Sequence, residues 1–197
     1  MSYYNLVRIS IFIVLATICI FIINTKVRYN LRKTSIIASL FCCAILTFTV
    51  LELVPFENSI LTFETPEEAF DYYKTEAIDV LIEGEDSCLI VAKNDSAAQQ
   101  VLIFKKNKND WDIKTGLSVN KTNITKTDDA FLSILSVDGS ADKYVEIDNI
   151  LSKELTVSDN INSEFHKAEN GKYYAYIQDF SNNYVINVNG DSAVFGN

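Results

Sequence analysis

Beyond Arg32 the sequence contains no arginine, and the whole chain has one histidine, two prolines and six glycines. Each scarcity closes a line of chemistry. His166 is the lone imidazole and Cys88 the only cysteine after Cys43, so a zinc site lacks its usual nitrogen and sulfur ligands. Cys19, Cys42 and Cys43 fall in apolar runs, which leaves Cys88 without a partner for a disulfide outside them. A secreted animal domain usually carries several disulfides; with an arginine-poor composition rich in Asn, Lys, Ile and Tyr, this points to a bacterium of low genomic GC content. No glycine falls in a G-x-G-x-x-G or Walker pattern and no serine in G-x-S-x-G, so phosphate loops and a nucleophile elbow are not expected, and no cofactor is. Positive charge is scarce as well. Residues 56–197 carry 12 lysines against 25 acids, which argues against nucleic acid as a partner.

Long apolar runs are what the chain does have. LVRISIFIVLATICIFII spans 6–23 and IIASLFCCAILTFTVLELV spans 36–54. Each, as a helix, covers about 28 Å, close to the hydrocarbon thickness of a bilayer. Neither has the polar stripe of a helix in a soluble core. Residues 24–35 between them hold Lys26, Arg28, Arg32 and Lys33 and no acid. Burying these four would cost about 2.5–3.5 kcal/mol each, so the expectation is two spans in a hairpin, residues 1–55, and not one long span. Short loops rich in Lys and Arg stay in the cytoplasm. The turn is therefore expected inside and both termini outside, a multi-pass protein of the cell membrane with the lipid bilayer as its first partner. A cleaved signal peptide is disfavoured, because a basic n-region and a small-x-small cleavage site are both missing. Ala38, Ser39, Cys42, Cys43 and Ala44 are small residues that would let the two helices pack closely.

Residues 56–197 read as one acidic α+β domain outside the membrane. TPEEAFDYYKTEAIDVLIEG predicts a helix: Thr65 caps it, Pro66 takes the first position and Glu68 completes a capping box. Phe70, Tyr73, Ala77, Val80 and Leu81 recur at helical spacing, and Gly84 would end it. SCLIVAK, QVLIFKK and WDIKT then predict a three-strand meander, giving a helix-meander half over 60–116. Residues 116–129 are polar and read as a loop. A β-rich half over 130–197 follows, with strands at 130–137, 143–151, 154–158 and 163–168, then KYYAYIQDF, NYVINV and SAVF. Asn170-Gly171 and Asn189-Gly190 are strong hairpin signals. The spacing suggests an antiparallel meander or sandwich.

The stretch YVEIDNILSKELTVSDNINSEFHKAENGKYYAYIQDFSNNYVINVNG resembles the C-terminal part of small membrane-anchored extracytoplasmic proteins of Gram-positive bacteria. The VSD turn, the SEF strand, the tyrosine-rich YYAYI and the closing YVINVNG carry the likeness. The TPEEAFDYY helix with its trailing strands is similar in outline to cystatin-like and NTF2-like domains. Neither resemblance implies catalytic residues.

Candidate sites are few. Asp138, Asp142, Glu146 and Asp148 lie close in sequence and supply the oxygen ligands calcium prefers, but the glycine directly after Asp138 breaks the EF-hand pattern and a solvated turn is the preferred reading. Tyr173, Tyr174 and Tyr176 fall on both faces of one strand, so at least one is expected at a rim, where tyrosine favours recognition; β-propensity accounts for the same cluster. The function expected is non-enzymatic: recognition, or an accessory or regulatory role beside an integral membrane protein or a cell-wall component. The alternatives are a small wall-active hydrolase with unidentified carboxylates, or a sensor acting through a membrane partner.

Overall fold

The computed structural model describes residues 1–93, 100–113, 119–150, 154–178, 180 and 183–195. Its class is α+β: two apolar N-terminal helices, then antiparallel sheets with one further helix. Helix α1 is Tyr3–Lys26 and α2 is Tyr29–Leu53, both long and apolar enough to cross a membrane. Helical structure therefore reaches into the basic segment from both sides, and only Val27 and Arg28 separate the helices. The Arg32 side chain donates to the Val27 carbonyl at 2.9 Å, which helps close so short a turn.

Ala16, Ile23, Cys43 and Thr47 are buried along the seam between α1 and α2. Cys19 and Cys43 bring their Sγ atoms to 3.8 Å, and Phe12 and Phe48 rings approach to 5.8 Å. Of the small residues expected to line this seam, Cys43 does, whereas Ala38 and Cys42 point outward. Near Thr47 the α-ladder gives way to one π turn, Leu46–Val50. The Thr47 hydroxyl donates to the Cys43 carbonyl at 2.8 Å, a competing bond of the kind that loosens a helix locally. Ile13, Val14, Phe21, Ile37 and Phe41 remain on the outward faces.

The third helix, α3, is only Pro66–Tyr73. Thr65 caps it as expected, accepting from the Glu68 amide at 3.3 Å while Glu68 accepts from the Glu64 amide at 2.9 Å. It does not continue to Gly84, because Ile78–Glu83 is strand β1. The physical reason is two-sided burial. Ile78 and Leu81 face one layer, and Val80 and Ile82 the opposite one. Apolar residues on both faces of a strand mimic, in one dimension, the single face of a helix.

Strand β1 begins a four-stranded sheet A, in order β1-β2-β3-β4, with β2 at Ser87–Ala92, β3 at Val101–Asn107 and β4 at Asp110–Asp112. Sheet B, in order β5-β6-β7-β10-β9, contains β5 (Val119–Lys126), β6 (Ala130–Val137), β7 (Lys143–Asn149), β9 (His166–Lys167) and β10 (Tyr173–Ile177). Sheet C, in order β12-β11-β8, contains β8 (Val157–Asp159), β11 (Tyr184–Val188) and β12 (Asp191–Phe195). β5 falls in the segment read as a loop. It is an edge strand with mostly exposed side chains, so its pairing with β6 is backbone bonding that leaves no apolar alternation in the sequence.

The sheets form successive layers. Leu132, Ile134, Val145, Ile147 and Ala175 of sheet B pack on Ile186, Val188 and Phe195 of sheet C. The opposite face of sheet B, with Leu135, Val137, Tyr144 and Tyr174, packs on Val80, Leu89, Val91 and Ile103 of sheet A. The far face of sheet A, with Cys88, Ile90, Phe104 and Trp111, packs on Phe63, Phe70 and Tyr73, and Tyr4 of α1 enters that same core. Helix α1 and sheet A thus share one apolar layer.

Polar contacts reinforce this junction. Arg8 is 2% exposed and ion-paired with Glu57, which is 1% exposed. Its guanidinium also donates to the Leu51 carbonyl at 2.9 Å and lies 3.3 Å from the Tyr4 ring centroid. Tyr4 meets Tyr73 edge-on at 4.8 Å, and Tyr3 stacks on Tyr72 at 6.4 Å. Asn58 exchanges two bonds with the Ile113 backbone, at 2.9 and 3.0 Å.

Candidate functional site

The turn from β1 to β2 supplies the scaffold of the site. Gly84 N–H donates to the Ser87 carbonyl at 2.8 Å, and this bond sets the phase of the ladder. With Ile82 opposite Leu89 and Val80 opposite Val91, these pairs exchange the inter-strand bonds. The N–H and C=O groups of Leu81 and Glu83 then point away from β2, because bonding alternates along an antiparallel strand. β1 is the edge of sheet A, so these groups face no further strand of it.

Asp142, 4% exposed, ties this turn to sheet B. Its carboxylate accepts from the Glu85 and Asp86 amides at 3.3 and 3.0 Å, from the Ser87 hydroxyl at 2.7 Å and from the Tyr176 hydroxyl at 3.1 Å. Ser87 and Tyr144 share a further bond at 2.9 Å. A glycine is needed at position 84, since an added Cβ would stand 2.4 Å from Asp142 Oδ2 and 2.8 Å from the Tyr144 hydroxyl. Burial opposes ionisation of Asp142, but the donors around it outweigh that and hold its carboxyl below the usual range. Burial and the neighbouring Asp142 charge push the Tyr176 hydroxyl up to about 12.

Beside the open stretch of β1 lies a groove of about 430 Å3, with Leu81, Ile82 and Glu83 on one wall and Ile161–Glu164 and His166 on the other. Tyr176 of β10 and Gln178, just past its end, line it as well, and the same two residues line a second hollow of about 260 Å3 toward Glu85, Lys143 and Phe180. The two hollows therefore adjoin. At its lower end β1 is covered: Asp79 accepts from the Glu169 amide at 2.8 Å, and Glu169 pairs with Lys93.

The four calcium candidates do not gather into one cluster, and only Glu146 and Asp148 approach each other, across Lys172. Asp142 is engaged as above; Glu146 pairs with Lys121 and Lys172, each at 2.7 Å; Asp148 pairs with Lys172 at 2.9 Å; and Asp138 accepts from Asn120 at 2.6 Å. No group of three or more metal-ligating side chains occurs among the described residues. Of the tyrosine candidates, Tyr173 and Tyr174 are buried, Tyr173 against sheet C and Tyr174 against sheet A, so neither offers a recognition surface. Both faces of sheet B are covered, and the expected rim position falls to half-buried Tyr176 alone. Lys26, Arg28, Arg32 and Lys33 lie at the hairpin turn. Cys88 lies on the far face of sheet A from the groove, where burial pushes its thiol well up. Glu83, Asn162, Glu164 and Gln178 carried no signal in the sequence. They become neighbours only once β1 is a strand.

Burial works against the charge of Glu146 as well, yet its two lysines lower its carboxyl below the ordinary value. Because the folded value is the lower one, Asp142 and Glu146 stabilise the fold above the ordinary carboxylate range and lose that contribution as pH falls through their folded values. The thermal midpoint of the chain in detergent is expected to drop as pH is lowered below about 4, and Asp142→Asn with Glu146→Gln is expected to flatten that dependence. A midpoint insensitive to acid would contradict it.

The chain matches no family model, and neither a curated protein nor a solved structure matches it.

Proposed function

We propose that the chain is a membrane-anchored recognition or accessory protein of a Gram-positive bacterium. In this reading α1 and α2 span the bilayer, the basic turn stays in the cytoplasm, both termini are outside, and the acidic domain presents its groove to a partner there. The outward apolar faces of the two helices and the four cations gathered at their turn support the anchor. The observation that carries the reading is the junction of Tyr4, Arg8 and Glu57 with the core under sheet A. A flexible tether would let the domain tumble, whereas this junction holds the groove at one height and attitude to the membrane. Such pre-orientation favours a partner in the same membrane or the adjoining wall, by cutting the entropy lost on association.

Mild-detergent extraction of the tagged chain after cross-linking in cells is expected to yield a stoichiometric complex with an integral membrane protein or wall component, seen as a native mass above that of the chain. A lone monomer in that extract would overturn the reading. So would turnover of wall fragments abolished by changing one or two acids, which would make the protein a hydrolase.

A further inference from the structure

We propose that the open stretch of β1, Leu81–Glu83, takes up an extended segment of a partner protein carrying lysine or arginine, as an added strand of sheet A. The inference rests on the recognition reading and names its ligand class. Three separate observations converge on it. The ladder phase leaves the amides and carbonyls of Leu81 and Glu83 directed off the sheet, and an edge of this kind is a template for a further strand. The groove lies along that edge and adjoins the hollow beyond Tyr176, a shape suited to an extended chain and not to a compact ligand. Glu83 and Glu164 line the groove, and neither has an ion pair among the described residues.

Charge decides between occupants. A second copy pairing β1 to β1 would set Glu83 close to its own counterpart within two strongly acidic domains, which is costly. A basic side chain on an incoming strand instead meets both carboxylates, while Gln178 and Asn162 supply neutral donors and acceptors beside it. The covered lower end of β1 stops the added strand near Asp79, so recognition is confined to a few residues, with affinity from backbone bonding and selectivity from charge.

The test uses the full-length chain in detergent and capped peptides. The probe is acetyl-Val-Lys-Val-Lys-Val-amide, with one counterpart N-methylated at residues 2 and 4 and another at residues 1, 3 and 5. An added strand bonds through alternate residues, so one N-methyl series is expected to lose at least about tenfold in affinity while the other keeps it. Replacing the lysines of the peptide by glutamate, or Glu83→Gln in the protein, should each weaken binding several-fold with the thermal midpoint unchanged. Equal affinity for all peptides, no binding up to about 1 mM, or a native dimer that dissociates on Glu83→Lys would overturn the proposal. If the cellular complex persists with Glu83→Lys, the strand proposal fails and the recognition reading stands; if wild-type chain captures nothing, the recognition reading itself has failed.

Discussion

Glu57→Ala in the full-length chain is expected to cost about 3–5 kcal/mol of stability, because it strands the Arg8 charge in a site from which solvent is excluded. The remaining partners of that guanidinium, the Leu51 and Tyr4 carbonyls at 2.9 and 3.4 Å and the Tyr4 ring beneath it, are neutral and do not offset a full charge. Replacing both members, as in Arg8→Met with Glu57→Leu, should recover most of the loss, since a packed apolar pair of similar volume is often as stable as a buried ion pair. Trp111 reports the event directly: it is the sole tryptophan, buried in the layer that Tyr4 enters, and its amide donates to the Phe63 carbonyl at 2.9 Å. Denaturant titration followed by its fluorescence, in one detergent, would give the ordering wild type, double variant, single variant. A single variant within 1 kcal/mol of wild type, flagged by an unchanged midpoint, would mean that the pair is hydrated and does not weld anchor to domain.

Asp142→Ala is the second large effect, at about 3–4 kcal/mol. It deprives two amides and two hydroxyls of their shared acceptor at the contact between sheets A and B. Asp142→Asn should cost less, since one amide oxygen still accepts, though its NH2 opposes donors. Gly84→Ala forces a Cβ against the same carboxylate, so removing that carboxylate should relieve part of the clash. The double variant Gly84→Ala with Asp142→Ala is therefore expected to be less destabilised than the sum of the two singles, as for any pair in direct contact. Strict additivity would show that the glycine is needed for another reason. Because Tyr176 bonds to Asp142 and lines the groove, the single Asp142 variant should also weaken peptide binding.

Much of the fold was legible in one dimension. Two apolar runs, each long enough to cross a membrane as a helix and neither showing the alternation of a strand, appear as α1 and α2. The cap at Thr65 and the turns at Gly171 and Gly190, with φ of 85° and 95°, follow from local chemistry that needs no partner. The apolar alternation of NYVINV likewise appears as β11, with Tyr184, Ile186 and Val188 inward.

What the tertiary structure decided was everything in which a residue answers to a distant one. Ile78–Glu83 is a strand because two layers cover it, and the same apolar residues satisfy a helical period when nothing is known of those layers. Val119–Lys126 is a strand because β6 offers it an unpaired edge, although its own side chains show no buried face. Arg8 reads as a lone charge at the start of a span until Glu57, 49 residues away, closes on it. Tyr173 and Tyr174 are hidden because sheet B is covered on both sides, a fact of layering and not of strand period. The groove exists only where the free edge of β1 meets the stretch from Ile161 to His166. Local propensity and hydrophobic length act within a few turns of chain, and the sequence alone therefore settles helices, caps and tight turns. Edges, layers and buried charge pairs depend on which surfaces meet, and those meetings are decided by packing in three dimensions.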